Sequence, residues 1–178
     1  MSNFEKEYLA IAIKQFKHFK ERAEKGIQQL SEKELHWKPS GESNSIAIII
    51  KHLSGNMHSR WVDFLTTDGE KHYRDRNLEF IDDANESKEY LMQKWEEGWK
   101  LLFKTIENLK AEDLDKTVNL RQQPLSVLQA VQTEMAHISY HLGQILYIGK
   151  QIKDKDWIIL SIPKIGLKEF NDKVTKKV

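Results

Sequence analysis

His137-Ile138-Ser139-Tyr140-His141-Leu142-Gly143-Gln144-Ile145 lies near the end of a strongly helical run. From Pro124 to about Gln151 apolar residues recur every three or four positions, which is the period of an amphipathic α-helix. His137 and His141 are four residues apart and therefore lie on one face of this helix. Because two imidazoles on one face can bind one metal ion, the run predicts both a helix and part of a metal site.

Three other segments show the same period, and they predict helices over residues 4–30, 46–65 and 87–109. Pro124 is expected in the first turn of the fourth helix. No segment alternates as a β-strand does, so the predicted fold is all-α, a four-helix bundle. Its second connection, residues 66–84, has the length of a lid or a crossover.

Smaller features of the chain complete this prediction. Leu35 and Trp37 in the first connection are expected to be buried against the bundle. The whole chain, residues 1–178, is expected to form a single domain. The bundle would span residues 4–151, and the C-terminal tail, residues 152–178, would pack on it.

Composition excludes several functional classes. With 28 basic and 27 acidic residues the formal net charge is +1, which argues against nucleic-acid binding. The longest apolar runs are too short to span a membrane, and charged residues from Glu5 onward argue against a signal peptide. A cytoplasmic protein acting on a small molecule is therefore expected. There is no cysteine, so an enzyme of this sequence would need histidines, carboxylates, hydroxyls or a cofactor.

The second helix offers a third imidazole for the predicted metal site. His52 falls at the edge of its apolar stripe, whereas His58 lies about 120° further around and is expected at the surface or rim. Cores of helical bundles are a usual place for metal sites. His52, His137 and His141 would bind one divalent ion, and three protein ligands leave a position for water or substrate.

Other metal motifs fit the sequence poorly. A helical zinc protease needs glutamate directly after the first histidine, where this chain has Ile138. A zinc deaminase needs cysteines. A di-iron bundle uses two Glu-x-x-His pairs; Glu134 and His137 form one, but Ile49 stands three residues before His52.

The layout resembles the DinB-like (DinB/YfiT) superfamily of four-helix-bundle proteins, to about Lys150. The resemblance rests on residues shared along the chain, namely 30–39 (LSEKELHWKP), Ser45-Ile46, His52-Leu53 and His137-x-x-x-His141-x-Gly143-Gln144-Ile145. The tail from Leu160 to Lys164, with Phe170-Asn171, resembles a branch of uncharacterised bacterial proteins.

The resemblance implies a metal site and an activity. It implies that His52, His137 and His141 bind a divalent metal, with zinc or nickel favoured over iron or manganese. It also implies a homodimer and, for some members, thiol S-transferase activity that joins a low-molecular-weight thiol such as bacillithiol, mycothiol or glutathione to an electrophilic small molecule. Two alternatives stay open, a metal-dependent hydrolase using metal-bound hydroxide and a noncatalytic metal- or ligand-binding dimer.

Three polar residues are candidates for supporting roles. Glu134, Asn56 and Gln144 are candidates for partners that fix the imidazole tautomers, although each is equally compatible with an ordinary polar residue. The carboxylates of a thiol could bind to an arginine, and the spacing selects none of the four candidates, Arg60, Arg74, Arg76 and Arg121. The sequence names no catalytic residue beyond these candidates.

Overall fold

The computed structural model describes residues 3–162, 166–167 and 170–172, and most of them are helical. Four long helices provide the frame and two short helices lie in the connections. The helices are α1 (Asn3–Ile27), α2 (Glu32–Leu35), α3 (Ile46–Trp61), α4 (Arg76–Glu79), α5 (Lys88–Asn108) and α6 (Val127–Lys153). Short 3₁₀ turns follow α5 at Ala111–Asp113 and α6 at Asp154–Asp156.

Serine side chains begin three of the four long helices. Ser45, Ser87 and Ser126 each accept a hydrogen bond from a backbone N–H in the first turn, at 3.1–3.2 Å. Such a cap satisfies a donor that has no partner within the helix. The predicted helices exist close to their expected positions, although α1 ends at Ile27, three residues earlier than predicted, and α3 ends at Trp61, four residues earlier.

The core lies between the long helices, with α3 packed mainly on α5 and α1 mainly on α6. Trp95 and Trp99 of α5 are buried at 1% and 0% exposure. Burying side chains of this size contributes on the order of 2–3 kcal/mol each. Of the two predicted anchors in the first connection, Leu35 is fully buried, but Trp37 is 38% exposed and that part of the prediction is wrong.

A small β-hairpin between α5 and α6 corrects the purely helical prediction. Strands β1 (Thr117–Leu120) and β2 (Gln123–Ser126) pair antiparallel, so Pro124 lies in a strand and not in the first turn of α6. Both turn residues, Arg121 and Gln122, have positive φ, which usually requires asparagine or glycine.

A distant carboxylate stabilises this turn. Asp68 accepts hydrogen bonds from the backbone N–H groups of Arg121 and Gln122 at 2.8 and 2.7 Å. The turn therefore depends on a contact across more than 50 residues and carries no local sequence signal.

The long connection after α3 is held against the helices and contains α4. Asp75 caps α4 by accepting from the N–H of Asn77 at 2.9 Å. At the far end of the connection, His36 bonds Asp82 through Nδ1 at 2.7 Å and the Glu86 carbonyl through Nε2 at 3.0 Å. Lys51 of α3 also pairs with Glu86 at 2.7 Å, which holds this end of the connection against α3.

The tail begins by packing on the long helices. The Trp157 indole lies beside Gly149 of α6 and Gly26 of α1, where a side chain would fill the same space. Most of the predicted tail beyond Ile162 lies outside the described residues. Among the residues that the structure describes, no helix is both long and apolar enough to cross a membrane.

Candidate metal centre

The structure brings the three predicted histidines together. His52 comes from the middle of α3, and His137 and His141 come from one face of α6. One ring nitrogen from each residue lies within 4.8 Å of the others. The three side chains are only 6–9% exposed, so the cluster lies at the edge of the core.

Each imidazole directs Nδ1 away from the cluster, to a side-chain acceptor. His52 Nδ1 lies 3.0 Å from Glu79 Oε2, and His141 Nδ1 lies 2.8 Å from Gln144 Oε1. His137 Nδ1 makes a longer contact of 3.5 Å with Glu134 Oε1. Because these oxygens can only accept, each Nδ1 carries a proton, and in a neutral ring the lone pair is then on Nε2, the nitrogen that faces the cluster.

The three nitrogens could hold a divalent metal ion. His52 Nε2 and His137 Nε2 are 3.1 Å apart, and two lone pairs at this distance repel each other unless a cation or a proton lies between them. Two nitrogens bound tetrahedrally to one ion with bonds of about 2.0–2.1 Å would be roughly 3.3 Å apart. Burial lowers the pKa of His141 to about 4, so this ring is neutral and able to ligate near neutral pH.

Glu134 is the centre of a buried network behind His137. Its side chain is 0% exposed, and Arg60 Nη1 donates to its Oε2 at 2.8 Å. The Asn56 amide, oriented with its nitrogen toward Glu134, donates to both carboxylate oxygens at 3.0 Å. Thus two of the three supporting candidates, Glu134 and Gln144, contact a histidine directly, and Asn56 contacts one through Glu134.

Sequence reasoning missed Glu79, the partner of His52. It lies at the end of α4 in the connection, and Arg74 holds both of its oxygens at 2.7 and 2.9 Å. Burial would raise the pKa of the Glu79 carboxyl, but hydrogen bonds from His52 and Arg74 outweigh burial and lower it. No motif marks Glu79, because it is brought to His52 only by the path of the connection.

Aromatic rings flank the cluster on its exposed side. The Phe80 ring lies 5.2 Å from the His52 ring, and the Tyr140 ring lies 4.4 Å from that of His141. Phe80 and Tyr140 are 37% and 54% exposed. The Arg76 guanidinium lies over the Phe80 ring at 5.6 Å. These three side chains therefore lie together beside the histidine cluster, and the two rings are partly open to solvent.

The four candidate arginines differ in their partners. Arg60, Arg74 and Arg121 each pair with a carboxylate, from Glu134, Glu79 and Glu70 respectively. Among the described residues, no carboxylate pairs with Arg76, whose guanidinium contacts Phe80 beside the cluster.

The other histidines near this region lie outside the cluster. His58 is half-buried, and its Nδ1 bonds the Ser54 carbonyl of its own helix at 3.0 Å. His72 is exposed in the connection, where its ring contacts Tyr73.

Comparison with known proteins supports the fold and leaves the chemistry open. The profile of a family described as a protein of unknown function, DUF1572, matches residues 3–166. A crystal structure of a conserved protein from Enterococcus faecalis is similar, with a TM-score of 0.62 and 14% identity over 79% of this chain and 94% of that chain. At this identity the likeness concerns the fold alone. No functionally curated protein matches the chain.

Proposed function

The chain belongs to the DUF1572 family of proteins of unknown function, and we propose that it is a metal-dependent enzyme. In this proposal His52, His137 and His141 hold one divalent ion, with zinc or nickel favoured. The convergence of three imidazoles, each with Nδ1 on an acceptor, is the observation that carries it. The same histidines and the four long helices support membership of the DinB-like superfamily and its four-helix bundle.

Charge balance around the centre favours an anionic partner. The carboxylates of Glu79 and Glu134 are already neutralised by Arg74 and Arg60, respectively. A divalent ion bound to three neutral imidazoles would therefore keep its double positive charge. Thiolate and hydroxide are the small anionic ligands that such a charge stabilises.

We propose a thiol S-transferase acting on electrophilic small molecules, with a low-molecular-weight thiol as co-substrate. A divalent ion bound by the histidines would lower the pKa of a thiol that coordinates it, so that the thiol reacts as a thiolate. The chain itself would orient the two reactants, and the Phe80 and Tyr140 rings would pack against apolar parts of the electrophile. Arg76, with no carboxylate partner among the described residues, would bind an anionic group of the thiol.

Metal content tests the site. Protein purified without a histidine tag and incubated with zinc or nickel should contain about one equivalent of metal per chain. Elemental analysis after gel filtration measures it. Less than about a tenth of an equivalent for either ion would overturn the proposal.

Thiol-dependent consumption of monochlorobimane by the metal-loaded protein tests the reaction. We expect turnover that His137→Ala abolishes, and an increase in KM for the thiol of about tenfold in Arg76→Ala, as for one charged hydrogen bond. Lys155→Ala, which removes an exposed cation beyond the end of α6, is the control. Turnover of an ester or amide without thiol would favour the hydrolase, and no turnover of either substrate would favour a noncatalytic binding protein.

A further inference from the structure

We propose that Glu79 is a positioning residue for His52, so that metal binding and docking of α4 on α3 stabilise each other. This inference rests on the proposed metal site and assigns a role to the 66–84 connection. Glu79 lies 27 positions from His52 in the chain, whereas His137 and His141 find their acceptors within α6. One ligand of the site is thus oriented by a segment outside the helices that carry the ligands.

The Glu79 carboxylate is held in one orientation. Arg74 Nε and Nη2 donate to Oε1 and Oε2 respectively, and His52 Nδ1 donates to Oε2 at 3.0 Å. The carboxylate is 9% exposed and the Arg74 side chain is 6% exposed, so water competes little for these bonds. A fork of two parallel hydrogen bonds fixes the plane of the carboxylate, which in turn fixes the rotation of the imidazole.

Gly55 makes room for this carboxylate on the surface of α3. A Cβ at position 55 would lie 2.8 Å from Glu79 Cδ and closer still to Oε1. Glycine inside a helix lowers the stability of that helix relative to alanine, so a glycine at position 55 calls for a structural reason. The close approach of Glu79 to α3 provides one, because any larger residue would move the carboxylate away from His52.

Gly143 in α6 is a matched contrast. A Cβ there would meet no atom within 4 Å. Alanine at 143 therefore adds the same methyl group to the interior of a long helix without moving a neighbour.

Shared use of His52 couples the metal to the connection. An ion on Nε2 withdraws electron density from the ring, which makes Nδ1–H a stronger donor to Glu79. Metal binding thus favours docking of α4, which brings Glu79 to His52. By thermodynamic linkage, docking of α4 must favour metal binding to the same extent. The expected size is that of other groups that orient metal-bound histidines, about 10–100-fold in metal affinity.

Cobalt binding tests the inference, with Co²⁺ as the probe and its visible absorption as the readout. We expect Glu79→Gln and Gly55→Ala to weaken Co²⁺ binding by about 10–100-fold and to alter the d–d spectrum. Gly143→Ala should bind like wild type. The double variant of Gly55→Ala and Glu79→Gln should have about the same Co²⁺ affinity as the single variant with the lower affinity, because both substitutions act through the same carboxylate.

The outcomes separate this inference from the proposed function. If wild type binds no Co²⁺, Zn²⁺ or Ni²⁺, the metal site itself fails. If wild type binds and Glu79→Gln binds equally with the same spectrum, only the role of Glu79 is overturned. A purely structural role would lower the urea midpoint of the metal-free protein and leave the cobalt spectrum unchanged. Glu79→Gln preserves the side-chain size and decides the matter alone if Gly55→Ala does not fold.

Discussion

The two halves of the histidine cluster are supported in different ways. On α6, His137 and His141 find Glu134 three residues before and Gln144 three residues after, within one helix. On α3, His52 depends on Glu79, which the connection brings from 27 positions away. Support within a helix forms with the helix, whereas support from a connection forms only when the connection docks. We therefore expect His137 and His141 to stay oriented whether or not the connection is docked, and His52 to stay oriented only while the connection is docked.

Removing a ligand should have the largest effect and should show that both halves are needed. We expect His52→Ala and His137→Ala to weaken metal binding by more than about 100-fold, beyond the loss expected from a supporting residue. Competition with a chelator measures the affinities. His58→Ala is the control, since His58 bonds its own helix and lies outside the cluster. If His52→Ala binds metal as wild type does, the α3 half is not part of the site.

The second-largest effect should be on the free energy of unfolding, and it should distinguish Glu134 from Glu79. We expect Glu134→Ala to lower the free energy of unfolding of the metal-free protein by about 3 kcal/mol, because Arg60 loses its partner in a buried network. Glu79→Ala should cost roughly half as much or less, because the connection can detach locally and let Arg74 reach water. Urea unfolding of both variants measures this difference. Equal losses would show that the connection is as firmly packed as α6.

The smallest effect should come from the far end of the connection and should depend on pH. Burial would raise the pKa of Asp82, but hydrogen bonds from His36 and Ser45 and the charges of His36 and Lys38 lower it below its usual 3.8. Ionised Asp82 therefore stabilises the folded state above about pH 4, and this contribution is lost as the pH falls through the lower folded pKa.

Wild type should accordingly be more stable than Asp82→Asn at pH 6 by about 1 kcal/mol, the scale of a partly buried hydrogen-bonded pair. The difference should shrink as the pH falls below 4, as measured by urea unfolding at each pH. Asp115→Asn, at an exposed aspartate, is the matched control. A difference that stays constant down to pH 2 would contradict the role of Asp82.

The helices were predictable because their signals are local. Apolar spacing and serine caps are read within a few residues, and α3, α5 and α6 begin close to their predicted positions. The hairpin was missed because its turn, Arg121-Gln122, has no favourable turn residue and relies on Asp68. Helix ends were less predictable, as α3 shows by stopping at Trp61 before the buried Phe64.

The same division applies to the centre itself. The spacing of His137 and His141, with Glu134 and Gln144 three residues to either side, is a property of one helix, so the sequence alone could propose these residues as that half, although it did not distinguish Glu134 and Gln144 from ordinary polar residues. His52 could be assigned to an inward face, but its distance from α6 depends on how the helices pack. Glu79, Arg74 and the need for glycine at position 55 emerged only in three dimensions, because a connection carries no period from which its path can be read.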